Sequence, residues 1–427
     1  MTKPQILSKK LVKPSTPTPS HLRKVKLSLM DQLVPPTSIN IVFCYSSSGQ
    51  GDSKERSTQL ENSLSEALTK FYPLAGRLVI DDLSIDCNDQ GVEFLEARVN
   101  EKLDDFLHGW TKVEELNHLV PWEDGACNLA STPLVAVQIN MFECGGLIVG
   151  VRIAHKIADS TSLASFMNGW ATASRGGNED VVSPNFTLGS LFPPSDLIPS
   201  NPSTQVGAKI ITKRFCFSKK AIRAMEEEVR AASTSGTIPL PSRVVAVSAL
   251  LWKALIGVAR VRHGKLRPSM LVSAVNLRGR TAIPIPENAF GNFPILLPAR
   301  FSAEEGRTEI QDLVALLAEM WRDSVTSMAG NAGDLCSMVT RSFSEAREAK
   351  LNNPTLDVHL CASWCGVPVY EVDFGWGKPK WVGSSSKPTE VISLMDNGDG
   401  IDAWVCLDEK DMAELENSPD MLPFVQQ

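Results

Sequence analysis

His155 and Asp159 are the residues of this chain whose types and spacing most invite chemistry. An imidazole titrates near neutrality and can take a proton and return it. The elements around the pair decide whether it does. Leu147 to Ala154 reads as a strand, with Leu147, Val149, Val151 and Ile153 on one face, and period-2 alternation puts His155 on that same core-facing side. Downstream, Ser160-Thr161-Ser162 offers N-cap chemistry to a helix on which Leu163, Phe166, Met167 and Trp170 recur at helical spacing. The imidazole is therefore held inward at a strand end, with a carboxylate one tight turn later. That turn directs Asp159 away from the ring, which makes it a structural residue rather than a triad partner. Taken alone, His155 is either a satisfied core histidine or a general base. A metal site would want a second histidine at ligand spacing, and none is present.

Two further groups stand out. Asp373-Phe374-Gly375-Trp376-Gly377 combines backbone freedom with large aromatic surface, and it lacks the spacing of a phosphate loop. Arg278 and Arg280 follow a strongly apolar strand near Gly291-Asn292. They are either solvated loop arginines or partners of a carboxylate, for which Asp159 and Asp373 are candidates. Lys253, Arg260, Arg262, Lys265 and Arg267 gather at one helix end, either to meet a phosphorylated cofactor or as a solvated face. No Gly-x-Ser-x-Gly elbow occurs, His359 with Cys361 and Cys365 is too small a zinc set, and Asp396 to Gly400 needs only a hairpin turn.

At 427 residues the chain is long for one core, so two domains are expected. A net charge of −7 argues against nucleic acid as the main partner. The apolar run from Val244 to Val258 is short for a bilayer span and reads as a buried helix. Nine scattered cysteines fit reduced thiols, and with no secretory signal visible the expectation is the cytosol. Arg77 to Val99 reads as two strands around Asn88–Gly91, and Val391 to Cys406 as a hairpin. The proline-rich stretch from Pro184 to Pro202 is the one clear linker. Strands and helices alternate irregularly, so the class is α/β or α+β with mixed sheets.

Taken together the motifs resemble the plant BAHD acyltransferases. The resemblance spans nearly the whole chain, in the family's order: Phe71-Tyr72-Pro73-Leu74-Ala75-Gly76-Arg77, His155 to Asp159, Asn276-Leu277-Arg278, Gly291-Asn292 and Asp373 to Gly377. Phe142 to Gly146, Ser363-Trp364-Cys365 and Phe374 to Pro379 look like the vinorine-synthase clade. Ser160 departs from the glycine that many members carry, and 331–353 aligns poorly and would shape the acceptor side.

The resemblance implies an α/β fold of two domains like chloramphenicol acetyltransferase, with the active site in a channel between them. It sets a His155 domain at residues 1–183, a crossover linker at 184–209 and a C-terminal domain at 210–427 carrying the Asp373–Gly377 loop. His155 would act as general base on an alcohol held beside acetyl-CoA in a ternary complex, with no metal and no bound cofactor. Trp376 or nearby backbone amides would meet the oxyanion, Asp159 would pair with Arg278, and Asp373 would hold its own loop, against Arg280. Gly375 belongs to that loop, Asn292 would orient the imidazole, and Lys253 and Arg260 would contact coenzyme A phosphates. The acceptor would be a hydroxyl of an alkaloid or terpenoid, and the protein a soluble monomer. Competing readings are an aromatic acyl-CoA donor, an acyl-CoA hydrolase and a silent binding protein.

Overall fold

The computed structural model describes residues 3–47, 53–109, 113–121, 132–177, 179–195, 209–232, 241–327, 330–385, 387 and 389–425. The chain divides into two compact units. The first comprises Met1–Ser203, Ile285–Phe293 and Val367–Ser386, and the second Thr204–Pro284, Pro294–Gly366 and Lys387–Gln427.

A six-stranded sheet organises the first unit. Its order is β1 (Gln5–Val12), β6 (Val92–Val99), β7 (Val135–Phe142), β8 (Leu147–Ala154), β3 (Ser38–Tyr45) and β13 (Trp381–Ser384). Strand β8, which delivers His155, is interior. It pairs antiparallel with β7 on one side and β3 on the other, so that Tyr45 faces Leu147 and Ser38 faces Ala154. Every residue of β8 is buried, on both faces, rather than on one face alone. Gly150 makes this possible. A Cβ there would stand 1.9 Å from the Leu119 carbonyl oxygen, so only glycine lets the turn Val113–Leu119 lie on the strand.

The stretch from Arg77 to Val99 forms three strands, not two. Leu83 takes a left-handed φ of 45° and folds β4 (Arg77–Val79) back on β5 (Ser84–Asp86). With β2 (Lys24–Lys26) these make a small sheet of order β2-β5-β4, while β6 leaves to pair with β1 and β7. Helices Ser53–Lys70 and Ser160–Ser174 pack together, tied by the Trp170 indole, which donates to Leu60 O and Ser63 Oγ at 3.1 Å each.

Two domain expectations need correction. The first part of the supposed linker is packed in the first unit: Leu188 and Phe192 are buried, the Phe192 ring lies 5.3 Å from that of Phe293 in a tilted pair, and Gln32 bonds Ser195 in both directions. Residues 196–208 lie outside the described residues. The Asp373–Gly377 loop also belongs to the first unit rather than to a C-terminal domain, because β13 completes the sheet against β3, with Trp381 opposite Cys44.

The second unit carries its own six-stranded mixed sheet. Its order is β11 (Pro294–Phe301), β10 (Ser269–Asn276), β12 (Asp357–Ser363), β14 (Val391–Asp396), β15 (Gly400–Asp408) and β9 (Ile210–Ser218). The β10–β12 and β12–β14 pairs are parallel and the others antiparallel. The expected hairpin is β14–β15, turned at Gly398 with φ of 89°. Helix Arg243–His263 is long and apolar enough to cross a membrane, yet Ala246, Leu250, Trp252 and Leu255 are buried inside this unit. Ser242 caps it, and Gly264 ends it at φ of 70°. The poorly aligning stretch is a helix, Ala332–Asn352, capped by Asn331.

Candidate active site

Strand β8 ends at Ala154, and the next backbone groups are spoken for. His155 N donates to Thr37 O at 2.8 Å, and Ile157 N to Ala154 O at 3.1 Å. Ile157 and Ala158 are buried, while His155 is half-buried. The turn thus fixes the main chain of a residue that is itself only half-buried.

Asp159 is the N-cap of helix Ser160–Ser174, in place of the three hydroxyl residues expected for that role. Its Oδ1 accepts from Ser162 N at 2.9 Å and its Oδ2 from Phe293 N at 3.2 Å. One carboxylate therefore satisfies an orphan helix donor and anchors the segment Ile285–Phe293. Ser162 reinforces the same junction, its hydroxyl lying 2.9 Å from Gly291 O and 3.0 Å from Gly291 N.

Asn292 is fully buried. Its Nδ2 donates to His155 O at 2.7 Å and to Asp31 Oδ1 at 2.8 Å, and its main-chain N donates to the same oxygen at 2.7 Å. It holds the main chain of His155 rather than orienting the imidazole, as the resemblance had implied.

The other side of the turn carries residues that sequence reasoning missed. Asp31 is buried, and its Oδ2 accepts from Ser28 N at 2.8 Å and Ser28 Oγ at 2.7 Å, a capping box on helix Leu29–Leu33. Lys156 is buried too, and its Nζ donates to Gln32 O at 2.9 Å. Burial pulls the Lys156 ammonium down to about 8, against the opposing pull of the nearby Asp31 charge. The Ser28-x-x-Asp31 spacing was a readable capping signal, but nothing local linked it to His155.

The Asp373–Gly377 loop is self-contained. Asp373 Oδ1 accepts from Gly375 N at 2.8 Å and Gly377 N at 2.9 Å, and both glycines take φ above +100°. Phe374 is buried against Trp170, Trp376 and Tyr45, at centroid distances of 4.9, 5.7 and 5.8 Å. Its carbonyl accepts from Ser174 Oγ at 2.9 Å and Gln59 Nε2 at 3.1 Å. Arg175 donates to Asp373 O, and the Arg56 guanidinium lies over Trp376 at 5.6 Å.

This location sets Trp376 far from His155. The loop sits on Tyr45, opposite Leu147, whereas His155 follows Ala154, opposite Ser38. Seven strand residues span about 23 Å. Helix Ser160–Ser174 measures the same gap independently. His155 precedes its start, the loop is bonded to its last residue, and the helix is about 21 Å long. An oxyanion donor must lie about 3 Å from the reacting oxygen. The Trp376 Nε1 is instead buried with no hydrogen-bond partner.

Asp373 takes hydrogen bonds from its own loop, and Arg280 donates to Asn276 O at 2.7 Å and lies over Trp321 at 5.9 Å. Asn276 Oδ1 accepts from Arg278 N at 3.0 Å and from its Nη1 at 3.1 Å. Lys253 is committed to Glu309 and Asp420, at 2.9 and 3.2 Å, and two carboxylates around an ammonium repel a phosphate. Arg260 is exposed on the last turn of its helix. Among the described residues, no three His, Cys, Asp or Glu side chains converge as a metal set.

Comparison with known proteins places this geometry. A profile of the Transferase family matches residues 3–422. An acetyl-CoA-benzylalcohol acetyltransferase of Clarkia breweri is 38% identical over 431 residues, covering 98% of each chain. Stemmadenine O-acetyltransferase of Catharanthus roseus is 38% identical over 427 residues, covering 97% of this chain and 96% of the relative. The crystal structure of vinorine synthase superposes with a TM-score of 0.86 at 34% identity, covering 99% of this chain and 98% of that one. With nearly the whole length matched, the chain belongs to the Transferase family, the BAHD acyltransferases, and has that family's two-domain α/β fold.

Proposed function

We propose that the protein moves an acetyl group from acetyl-CoA to a hydroxyl of a small alkaloid- or terpenoid-class alcohol, with His155 as general base. The observation that carries this is a half-buried histidine at the end of a fully buried strand, its main chain clamped on both sides. The acetyl donor rests on relatives named as acetyltransferases. In the reaction, His155 takes the hydroxyl proton, the oxygen attacks the thioester carbonyl, the C–S bond breaks, and the imidazolium returns the proton to the coenzyme A thiolate. The oxyanion falls to main-chain N–H groups, since Trp376 is remote. Arg278 enters the reading as the partner that the resemblance gives Asp159, and a double-mutant cycle on the two tests it. The cytosol is the proposed compartment, because all eight described cysteines are free.

The experiment is thiol release from acetyl-CoA, with and without benzyl alcohol and a panel of alkaloid alcohols. Transfer predicts acceptor-dependent release that His155→Ala lowers by about 1000-fold with the fold intact. Acceptor-independent release would mean a hydrolase, and near-normal turnover by His155→Ala would sink the mechanism. Replacing acetyl-CoA with a hydroxycinnamoyl-CoA in the same assay tests the larger donor.

A further inference from the structure

Asp31 lies 124 residues before His155 and touches nothing of its side chain, yet it closes a chain of hydrogen bonds that ends on it. Both neighbours of the Asn292 amide, Asp31 Oδ1 and His155 O, are acceptors, so only the Nδ2 end can face them. The same Asp31 oxygen also receives Asn292 N at 2.7 Å, which fixes main chain and side chain of Asn292 together. The other carboxylate oxygen is held by Ser28 through its N and its hydroxyl, so Asp31 cannot swing away. Gly291, next to Asn292, takes φ of +136°, which favours glycine, and a Cβ there would crowd Leu188 Cδ1 at 3.1 Å. A second tie runs the other way, from Lys156 Nζ to Gln32 O, between the residues that follow His155 and Asp31.

We infer that Asp31 is a positioning residue for His155, acting through the side chain of Asn292. The inference rests on the proposed role of His155 as general base. The physical reason is that a histidine at a strand terminus is held by main chain on one side only. Thr37 O restrains its N–H, and the Asn292 amide restrains its carbonyl. Without the second restraint the peptide after His155 is free to tilt, and the imidazole tilts with it. A displacement of about 1 Å at a catalytic group costs on the order of 100-fold in rate.

The test uses the full chain with carbon-labelled histidine, in which the His155 imidazole signal is identified by its loss in His155→Ala. Asp31→Ala is expected to shift or split that signal. It should also lower kcat for acetyl transfer to benzyl alcohol by about 10-fold or more, with KM for acetyl-CoA held within about twofold. Asp31→Asn keeps an oxygen able to accept both Asn292 donors but turns its Nδ2 toward the Ser28 N–H, so it should restore the signal and the rate in part, above Asp31→Ala. Leu103→Ala is the stability control, since Leu103 packs at Gly146, beyond the opposite end of β8, and it should lower Tm while leaving the signal in place. Should Asp31→Ala not fold, Asn292→Ala carries the same expectation. The inference is overturned if folded Asp31→Ala keeps both signal and kcat, or if Leu103→Ala disturbs the signal equally. If benzyl alcohol and the other acceptors are not acetylated, the functional reading fails by itself, and the imidazole signal still decides the positioning.

Discussion

Asn292 donates its side-chain amide to the main-chain carbonyl of His155, 2.7 Å away and 137 residues earlier, and so holds the turn rather than the ring. Asn292→Asp would set a carboxylate against Asp31 Oδ1 and His155 O, three acceptors with no donor among them. Removing one partner from a buried charged network costs about 3 kcal/mol or more. Urea unfolding of this variant should show that loss, and a midpoint near wild type would contradict the geometry.

Trp376→Phe separates the two motifs. An oxyanion donor lost from an acyl-transfer site costs about 100- to 1000-fold in kcat. Trp376 lies at the far end of β8, and a phenyl ring keeps most of its contact with Phe374 and Tyr45. The variant should therefore retain kcat within about threefold, given equal folded protein. A drop of two orders of magnitude would restore the indole to the chemistry.

Asp373 offers a contrast between two substitutions. Both loop amides reach the same oxygen, Oδ1, so Asp373→Asn keeps an acceptor for each and should cost under about 1 kcal/mol. Asp373→Ala leaves both without that acceptor and should cost about 1–3 kcal/mol. Thermal melts in parallel with activity check this, with activity expected to follow the folded fraction in both.

Lys156 makes stability depend on alkaline pH. Its ammonium titrates at about 8 in the fold against 10.5 for an ordinary lysine. Between those values the unfolded chain binds a proton that the folded chain does not, so this residue's contribution rises with pH through that window and is at its least favourable below it. Lys156→Met removes the term. The Tm difference between wild type and variant should move in favour of wild type from pH 8 to 10.5, and a constant difference would refute the assignment.

What was legible in the sequence was what chain neighbours decide. The strand, the turn and the helix around His155 follow from side-chain periodicity over about two dozen residues, and so does the hairpin β14–β15. The misreadings arose where distant segments meet. The alternation on β8 pointed to one buried face, but Gly150 lets a turn from outside the motif cover the other. Sequence order groups Asp373 to Gly377 with the C-terminal strands, and the pairing of Trp381 with Cys44 moves the loop to the first unit. Asp31 gave a local capping signal and no hint of Asn292, because a hydrogen bond across 261 residues leaves no periodic trace.

The first unit is built from three separated stretches of chain, and this orders its birth on the ribosome. Strands β1 to β8 emerge early, but β3 keeps a bare edge until Trp381–Ser384 arrives, and the turn at His155 lacks Asn292 until most of the protein has been made. An exposed strand edge is a template for unwanted pairing, and long-range closure is slow. A nascent chain stopped anywhere before residue 381 therefore carries the His155 turn on an unfinished sheet, and the first unit is complete only as synthesis nears its end.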